Sequence, residues 1–317
     1  MFYKASRAVF CRYFTLFDAF SQKYLTGEHI SRNFANFARV TTCNGSPPPG
    51  PRHTDSFTKS TNKKTYGTMN IGSSFRSLPP VTKNLLIINV IIWLALQFFP
   101  ASTKTTFMDI CALHYPLSEN FNPAQVVTYM FVQENFFHLF FNMFALFMFG
   151  NIIERVVSSR RFLFYYISCG IGAALIQLGV FAFMIHNAAG QLPEGVTVDA
   201  IVNMSVPAGM APAHPDVFRI WNLINTEVIG ASGAVFGILL AFGYMFPKAP
   251  LYLFFIPVPI QARWIVIGYG ALELLQSFNN NPGDNVAHVA HLGGMAIGFL
   301  ILLYWKKKGL FNHGGIY

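Results

Sequence analysis

The chain has 317 residues, of which 53% are hydrophobic and only 11% are charged, and its mean hydropathy is +0.41. This composition excludes an ordinary soluble domain and indicates a polytopic membrane protein. The net charge of +9 lies in residues 1–83, which hold 12 Lys and Arg against 3 Asp and Glu, because the remainder is balanced. A basic character confined to one end gives no reason to expect a nucleic-acid partner for the main body.

Residues 1–83 are predicted to form a basic, poorly structured extension, since they contain the Pro-rich, polar segment 44–64 and show no hydrophobic periodicity. Two interpretations stay open. The first 40 residues contain Arg and Phe with few acids, which is typical of an organelle transit peptide. Alternatively, translation begins at Met69, and we favour this second interpretation because everything before Met69 lacks periodicity.

Six apolar runs follow, and each predicts a membrane-spanning helix. They cover residues 84–99, 136–157, 162–185, 228–246, 263–278 and 286–305. The first and fifth runs are short for a bilayer and would need extension or local thinning. The expected fold is therefore an all-α membrane protein, with a six-helix domain over residues 84–305 and a basic tail over residues 306–317.

The distribution of charge predicts the orientation of these helices. If the N-terminus is inside, the basic residues at 160–161 and 306–308 fall on the inside, while the outer loops hold mostly acids. Both termini are then cytoplasmic. The outer loops 101–135 and 187–227 are long, and the aromatic content of the first favours an interfacial, lid-like segment.

Four cysteines occur, and their spacing carries no metal-binding or redox motif. They are Cys11, Cys43, Cys111 and Cys169. The sequence therefore predicts neither a disulfide framework nor a metal site.

Two polar residues interrupt the apolar runs in a way that favours chemistry. Ser232 opens the fourth run within Gly-Ala-Ser-Gly, and His291 lies in the sixth run. A buried serine is ordinarily a packing residue whose hydroxyl bonds to the backbone. An ionisable residue at membrane depth is a functional candidate, however, and Ser232 is the partner we expect for His291.

A second polar pair lies at the head of the second run. His138 and Asn142 are four residues apart, so they share one helix face. Taken singly, each is typical of a hydrogen bond between helices. With Ser232 as nucleophile and His291 as general base and acid, they complete an acyl-transfer site as donors to an oxyanion, together with the Ser232 backbone N–H.

Three separated motifs resemble the rhomboid intramembrane serine proteases over about residues 84–305. They are the GASG around Ser232, the HxxxN of His138 and Asn142, and the AHLGGMAIG that contains His291. The resemblance implies a six-helix bundle with a water-accessible cavity and a Ser–His dyad that lacks a third acid. It also implies transmembrane protein substrates and neither a metal nor an organic cofactor.

Small and aromatic residues around these motifs are predicted to support the site. Glycines at helix spacing would let the fourth and sixth helices approach, and an aromatic residue four positions after Ser232 would pack on the imidazole. The supporting residues are Gly230, Gly233, Phe236, Gly237, Gly294 and Gly298. The family often has Tyr where Phe236 stands, and a Trp-Arg pair where Ala124 and Gln125 stand, so substrate gating is not predicted.

Two further ionisable residues lie near the motifs. His288 precedes the family motif, and we interpret it as a loop-end residue, although it is the rival candidate for the base. Glu273 in the fifth run has two interpretations: a gating or cavity role, or a buried acid bonded to a neighbouring helix, which we favour. No acid occupies a sequence position that obviously orients His291.

The leading hypothesis is an intramembrane serine endopeptidase in a lipid bilayer. The alternatives are a catalytically inactive rhomboid-like protein that binds membrane helices, and a small transporter with a polar path. Retention of both dyad residues argues against the former, and the absence of inverted repeats argues against the latter. The cytoplasmic membrane of a bacterium is expected, with an organelle membrane as the alternative. Neither the substrate nor the oligomeric state follows from the sequence.

Overall fold

The computed structural model describes residues 77–192, 194–203, 214–251, 259–278 and 287–311. The predictions for residues 1–76, including the transit peptide and the start at Met69, fall outside these ranges. The chain from Pro79 to Lys248 and from Gln261 to the last described residue belongs to one compact unit, and Ala249–Ile260 belongs to another. Two short strands, β1 and β2, pair with each other at Pro250–Leu251 and Ile260–Gln261.

The described ranges contain ten helices. In chain order they are α1 (Pro80–Phe98), α2 (Ala101–Cys111), α3 (Gln125–Thr128), α4 (Phe136–Val157), α5 (Ser159–Ala189), α6 (Val198–Val202), α7 (Pro215–Asn225), α8 (Ser232–Met245), α9 (Ala262–Ser277) and α10 (His288–Lys307). A 3₁₀ turn at Tyr129–Phe131 follows α3. Helix α4 contains a π-helical turn at Leu146–Gly150, where α1 and α8 pack against it.

Each of the six predicted apolar runs contains a helix in the structure, although the fourth run begins with an extended segment before its helix starts at Ser232. By length and composition, α1, α4, α5 and α10 are long enough to cross a membrane. Helix α8 has 14 residues, so at about 1.5 Å per residue it covers roughly 21 Å of the ~30 Å hydrocarbon layer. Helix α9 has 16 residues and is similarly short. The count of six spans therefore stays a prediction for α8 and α9.

The first helix begins at Pro80, four residues before the predicted run. Proline suits the first helical position, where a backbone N–H would be unsatisfied. The next two amides are satisfied by Glu154, at the end of α4, whose carboxylate accepts from Val81 N (3.0 Å) and Thr82 N (2.7 Å). The hydroxyls of Thr82 and Ser159 also donate to it, each at 2.7 Å. A carboxylate at a helix N-terminus is favoured by the helix dipole, so Glu154 joins α1, α4 and α5.

Helices α5, α8 and α10 form the centre of the bundle and make its most extensive contacts. Small residues set the distance between them. A Cβ on Gly294 of α10 would overlap the Gly233 carbonyl of α8, and a Cβ on Gly233 would lie 2.6 Å from the Ala173 Cβ of α5. The helices therefore touch through backbone, as small-residue interfaces in membranes allow.

Two other predicted packing glycines lie at this centre. A Cβ on Gly237 would lie 2.6 Å from the Cys169 sulfur of α5 and 3.2 Å from the Gly294 carbonyl. For Gly298 the nearest atoms belong to Tyr165 and Cys169 of α5, so this glycine makes room for α5 and not for α8 as expected.

The segment between α1 and α4, which the charge distribution predicts to lie outside and which is called the outer segment below, contains a buried glutamine that joins three of its residues. Gln125 accepts from His114 N at 3.2 Å and donates to Asp109 O at 2.8 Å and Asn120 O at 2.7 Å. The predicted interfacial segment is thus ordered around Gln125, which fixes the chain next to Leu113.

We expect Glu154→Gln to destabilise the fold, because an amide cannot accept from all of these donors and leaves some of them buried without a partner. The free energy of unfolding in detergent should fall by about 1–3 kcal/mol. Chemical denaturation followed by circular dichroism measures this, with the exposed Glu119→Gln as the matched control. An equal stability of the two variants would contradict this role of Glu154.

Candidate active site

An extended loop precedes Ser232 in the chain. Backbone hydrogen bonds in both directions join Leu113 and Val228 at 2.9 Å, and Gly230 N donates to Tyr129 O at 3.0 Å. Gly230 has φ +123°, a conformation that L-residues with side chains rarely adopt. A Cβ there would also lie 2.8 Å from His138 Nε2. Glycine at position 230 is thus required by both the turn and the imidazole beside it.

Ser232 and His291 meet directly. The Ser232 Oγ lies 2.7 Å from His291 Nε2, across the interface of α8 and α10. The Ser232 side chain is partly exposed, whereas His291 is 7% exposed. Because Gly233, the residue after Ser232, and Gly294, three residues after His291, bring the two backbones into contact, the short side chain of serine reaches the imidazole. This is the geometry of a nucleophile and its general base.

The imidazole of His291 is held flat by Phe236. The two rings stack with centroids 4.4 Å apart and planes 7° from parallel. Phe236 lies one turn after Ser232 on α8, so the same helix carries the serine and the ring on which the His291 imidazole stacks. The ring of Tyr269, on α9, packs edge-on against Phe236 at 6.5 Å.

Ser232 is the first residue of α8, and this position supplies hydrogen-bond donors. The first bond of the helix to a preceding carbonyl runs from Val235 N to Ala231 O at 3.0 Å, and no side chain caps the helix start. The amides before Val235 therefore have no partner within the helix and point towards its N-terminal end. Such amides stabilise a developing negative charge.

The His138 imidazole lies next to Gly230, and Ser232, at the start of α8, is also close to Gly230. Its Nδ1 accepts from Glu134 N at 3.4 Å, so a neutral imidazole carries its proton on Nε2. The position of a Cβ on Gly230 would be 2.8 Å from His138 Nε2 and 3.4 Å from Ser232 Oγ. The Nε2 donor and the nucleophile therefore face the same small space.

The buried Asn142 amide is oriented by a chain of hydrogen bonds. Asn142 Nδ2 donates to Gln133 Oε1 at 2.9 Å, Gln133 Nε2 donates to Asn89 Oδ1 at 2.9 Å, and Asn89 Nδ2 donates to Leu85 O at 2.9 Å. Each amide is thus fixed by the next. One Asn142 N–H is used in this chain and the second is available for an oxyanion.

Glu273 corrects the expectation that no acid orients His291. Its Oε2 lies 2.9 Å from His291 Nδ1 and 2.6 Å from His288 Nδ1. Glu273 contacts a neighbouring helix, as favoured from the sequence, and that helix carries His291. His288 is buried at the first position of α10 and faces Glu273, so the residue in contact with Ser232 is His291.

Two groups of side chains have the composition of metal ligands. One consists of Glu273, His288 and His291, and the other consists of Asp109 and His114, which precede α4, and Glu227, which precedes α8. The first overlaps the Ser–His pair and is compared with zinc geometry below. The predicted absence of a metal stays a prediction.

Sequence reasoning did not find Asn89 and Gln133, and for Glu273 it favoured a bond to a neighbouring helix over a gating or cavity role, without a contact to His291. Polar side chains within or beside apolar runs were the available signal, since Asn89 interrupts the first run and Glu273 the fifth. Their partners are far apart in sequence, however, and only the packing of α1 and α9 reveals them.

Comparison with known proteins places this chain in a family. A profile of the Rhomboid domain matches residues 120–308, more than half of the chain. The chain is 29% identical over 201 residues to RHOMBOID-like protein 12, mitochondrial, of Arabidopsis thaliana, which covers 61% of this chain and 50% of the relative. It is 26% identical over 181 residues to Rhomboid protein 1, mitochondrial, of Saccharomyces cerevisiae, covering 56% and 40%. It is 24% identical over 240 residues to YdcA of Bacillus subtilis, covering 74% and 93%.

The chain spans about half the length or less of the two eukaryotic relatives. Both of these are named mitochondrial, so they give no support to the predicted bacterial membrane. The resemblance drawn from the three motifs is confirmed, as is an all-α integral membrane protein of the rhomboid type.

We expect Gly294→Ala to separate α8 from α10, because the new Cβ would overlap the Gly233 carbonyl. Overpacking of this kind lowers the free energy of unfolding by about 1–3 kcal/mol. Thermal unfolding in detergent measures the effect. Gly179→Ala on α5 is the matched control, since nothing lies within 4 Å of a Cβ there. If Gly294→Ala unfolds at the same temperature as Gly179→Ala, the close approach does not limit the packing.

Proposed function

The chain belongs to the rhomboid family, and on that premise we propose that it is an intramembrane serine endopeptidase that uses Ser232 as nucleophile and His291 as general base. The observation that carries the proposal is the 2.7 Å contact between Ser232 Oγ and His291 Nε2, with the imidazole stacked on Phe236. The substrates are transmembrane segments of other proteins, within or next to the bilayer.

The acylation step follows from this contact. His291 Nε2 takes the hydroxyl proton of Ser232 as Oγ bonds to the carbonyl carbon of the scissile peptide, so an imidazolium and a tetrahedral oxyanion form together. Collapse of the intermediate breaks the C–N bond, and the Nε2 proton goes to the leaving amine. A water molecule then repeats the sequence on the acyl-enzyme, so water must reach Ser232, whose side chain is partly exposed.

The oxyanion is proposed to be stabilised from two sides. The unpaired amides at the start of α8, including that of Ser232, lie on one side, and His138 Nε2 and Asn142 Nδ2 lie on the side of α4. The hydrogen bonds that fix His138 through Glu134 N and Asn142 through Gln133 support these roles. Donors fixed before the reaction need little reorganisation as the charge develops.

For the cellular location we propose an organelle membrane, the alternative left open by the sequence. It is supported by the mitochondrial names of two relatives and by the Arg- and Phe-containing composition of the first 40 residues. Fusion of residues 1–68 to a fluorescent protein tests this. Uptake of the reporter into mitochondria is expected, and a reporter that stays in the cytosol would contradict it.

We expect Ser232→Ala and His291→Ala to lower the cleavage rate of a fluorogenic transmembrane substrate by at least about 10³-fold, because each removes one half of the acylation machinery. Purified protein in proteoliposomes provides the measurement. Ser277→Ala is the matched control, since its hydroxyl bonds only locally to Leu274 O.

Cleavage by Ser232→Ala at the wild-type rate would remove Ser232 as the nucleophile. If wild-type protein binds the transmembrane segments but cuts none of several, the inactive helix-binding alternative replaces the protease.

Removal of the proposed oxyanion donors should lower kcat and leave KM nearly unchanged, because these donors act on charge that exists only in the transition state. We expect His138→Ala and Asn142→Ala each to lower kcat by about 10²–10³-fold. Steady-state kinetics on the same substrate measures this. A rise in KM at constant kcat would assign these residues to substrate binding instead.

A further inference from the structure

The far side of the His291 ring presents a buried polar atom. His291 Nδ1 is shielded from solvent and completes no hydrogen bond with any described group. The carboxylate oxygen Oε2 of Glu273 nevertheless lies 2.9 Å away, off the direction in which a ring N–H would point. The contact is therefore electrostatic more than directional, and it places a carboxylate against the imidazole opposite Ser232.

The chemistry of the dyad decides which His291 nitrogen carries the proton. To accept the Ser232 proton, Nε2 must be unprotonated, and the proton of the neutral ring must therefore be on Nδ1. A buried N–H with no acceptor is unfavourable, and so is an imidazolium with no counter-charge. Among the described residues, Glu273 is the acid within ion-pair distance of Nδ1.

The Glu273 carboxylate is itself held in place. His288, one turn before His291 on α10, has its Nδ1 2.6 Å from the same Oε2. Glu273 is 8% exposed and His288 is 8% exposed, so the contact is shielded from water and salt. His288 thus ties the α9 carboxylate to the helix that carries the base.

The same three side chains could be read as a metal site, but their distances argue otherwise. Ligands at about 2.0–2.1 Å from a tetrahedral zinc ion lie roughly 3.3 Å from one another. The two His–Glu distances of 2.6 and 2.9 Å are shorter than that separation. The spacing fits proton-mediated and electrostatic contacts between the groups themselves.

We propose that Glu273 is a positioning residue for the reaction, acting through His291. This inference rests on the proposed function. The carboxylate selects the ring tautomer with the proton on Nδ1, and it stabilises the imidazolium that forms when Nε2 takes the Ser232 proton. Glu273 stays ionised throughout: the proton that moves goes from Ser232 Oγ to Nε2 and then to the leaving amine, and the Nδ1 proton stays on the ring. Ser232, His291 and Glu273 thereby act together as a triad, in which α9 supplies Glu273.

Kinetics of Glu273→Gln give the first test. The amide keeps the size and hydrogen-bonding capacity of the side chain and removes its charge. We expect kcat to fall roughly 10- to 100-fold with KM little changed, since the imidazolium exists only after substrate binding. Glu119→Gln, on the outer segment, is the matched control and should retain the wild-type kcat.

His288→Asn separates positioning from helix packing. This substitution removes the contact of the His288 imidazole with Glu273 and keeps the Glu273 carboxylate, so its kcat should fall less than that of Glu273→Gln. The Glu273→Gln variant should unfold near the wild-type temperature. If both variants lose kcat and thermal stability equally, Glu273 acts only by packing α9 on α10, and the proposal fails. A Glu273→Gln kcat within about twofold of wild type would also overturn it.

A spectroscopic readout keeps this test independent of proteolysis. The ¹⁵N spectrum of histidine-labelled protein in detergent micelles distinguishes the two ring nitrogens, and His291→Gln assigns the resonance. We expect wild-type His291 to carry its proton on Nδ1 and Glu273→Gln to shift part of the population to Nε2. A wild-type His291 protonated on Nε2, or a tautomer indifferent to Glu273→Gln, would refute the inference. If Ser232→Ala still cuts, the proposed function falls separately.

Discussion

The close backbone contact between α8 and α10 is the constraint on which the rest of the site depends. Serine has a short side chain, so its hydroxyl reaches an imidazole on another helix only if the two helices nearly touch. Gly233 and Gly294 provide that contact, and the resulting Ser232–His291 distance is 2.7 Å. In lipid, where no hydrophobic effect drives helices together, such close packing is also a source of association energy. Gly233 and Gly294 therefore contribute both to the association of the two helices and to the alignment of Ser232 with His291.

Several polar side chains at this depth have defined hydrogen-bond partners. Asn142 is fixed through Gln133 by Asn89 of α1, and His138 is fixed by the backbone before α4. At the other end of α4, the Glu154 carboxylate accepts hydrogen bonds from the first amides of α1. Since an unsatisfied polar group is more costly in hydrocarbon than in water, these networks rigidify the helices that carry them.

Much of this arrangement could be predicted from the sequence, for identifiable reasons. The helices follow from long apolar runs, and the residues at positions 138, 142, 232 and 291 stand out because polar groups are rare within such runs. The resemblance to the rhomboid family rests on those same residues. The pairing of Ser232 with His291 and the packing of Phe236 on the imidazole were also expected, and the structure supplies their distances, which depend on packing between helices.

The parts that could not be predicted depend on pairs that are distant in sequence. Glu273 lies 18 positions before His291 along the chain, and nothing in its own run shows that its face of α9 is turned towards α10. Gln125 stands at one of the two positions where the family often has a Trp-Arg pair. Nothing in the sequence around it indicated that its side chain would bond to three residues of the outer segment. The start of α1 at Pro80 was missed because Glu154, which satisfies its first amides, belongs to another helix.

The central claim is that Ser232 is a nucleophile activated by His291, and covalent labelling tests it most directly. The protein in proteoliposomes would be treated with a fluorophosphonate, which reacts with activated serines, and the adduct mapped by mass spectrometry. A single modified serine at position 232 and the loss of labelling in His291→Ala are the expected results. Labelling of Ser232 that is unaffected by His291→Ala, or an adduct at another serine only, would contradict it.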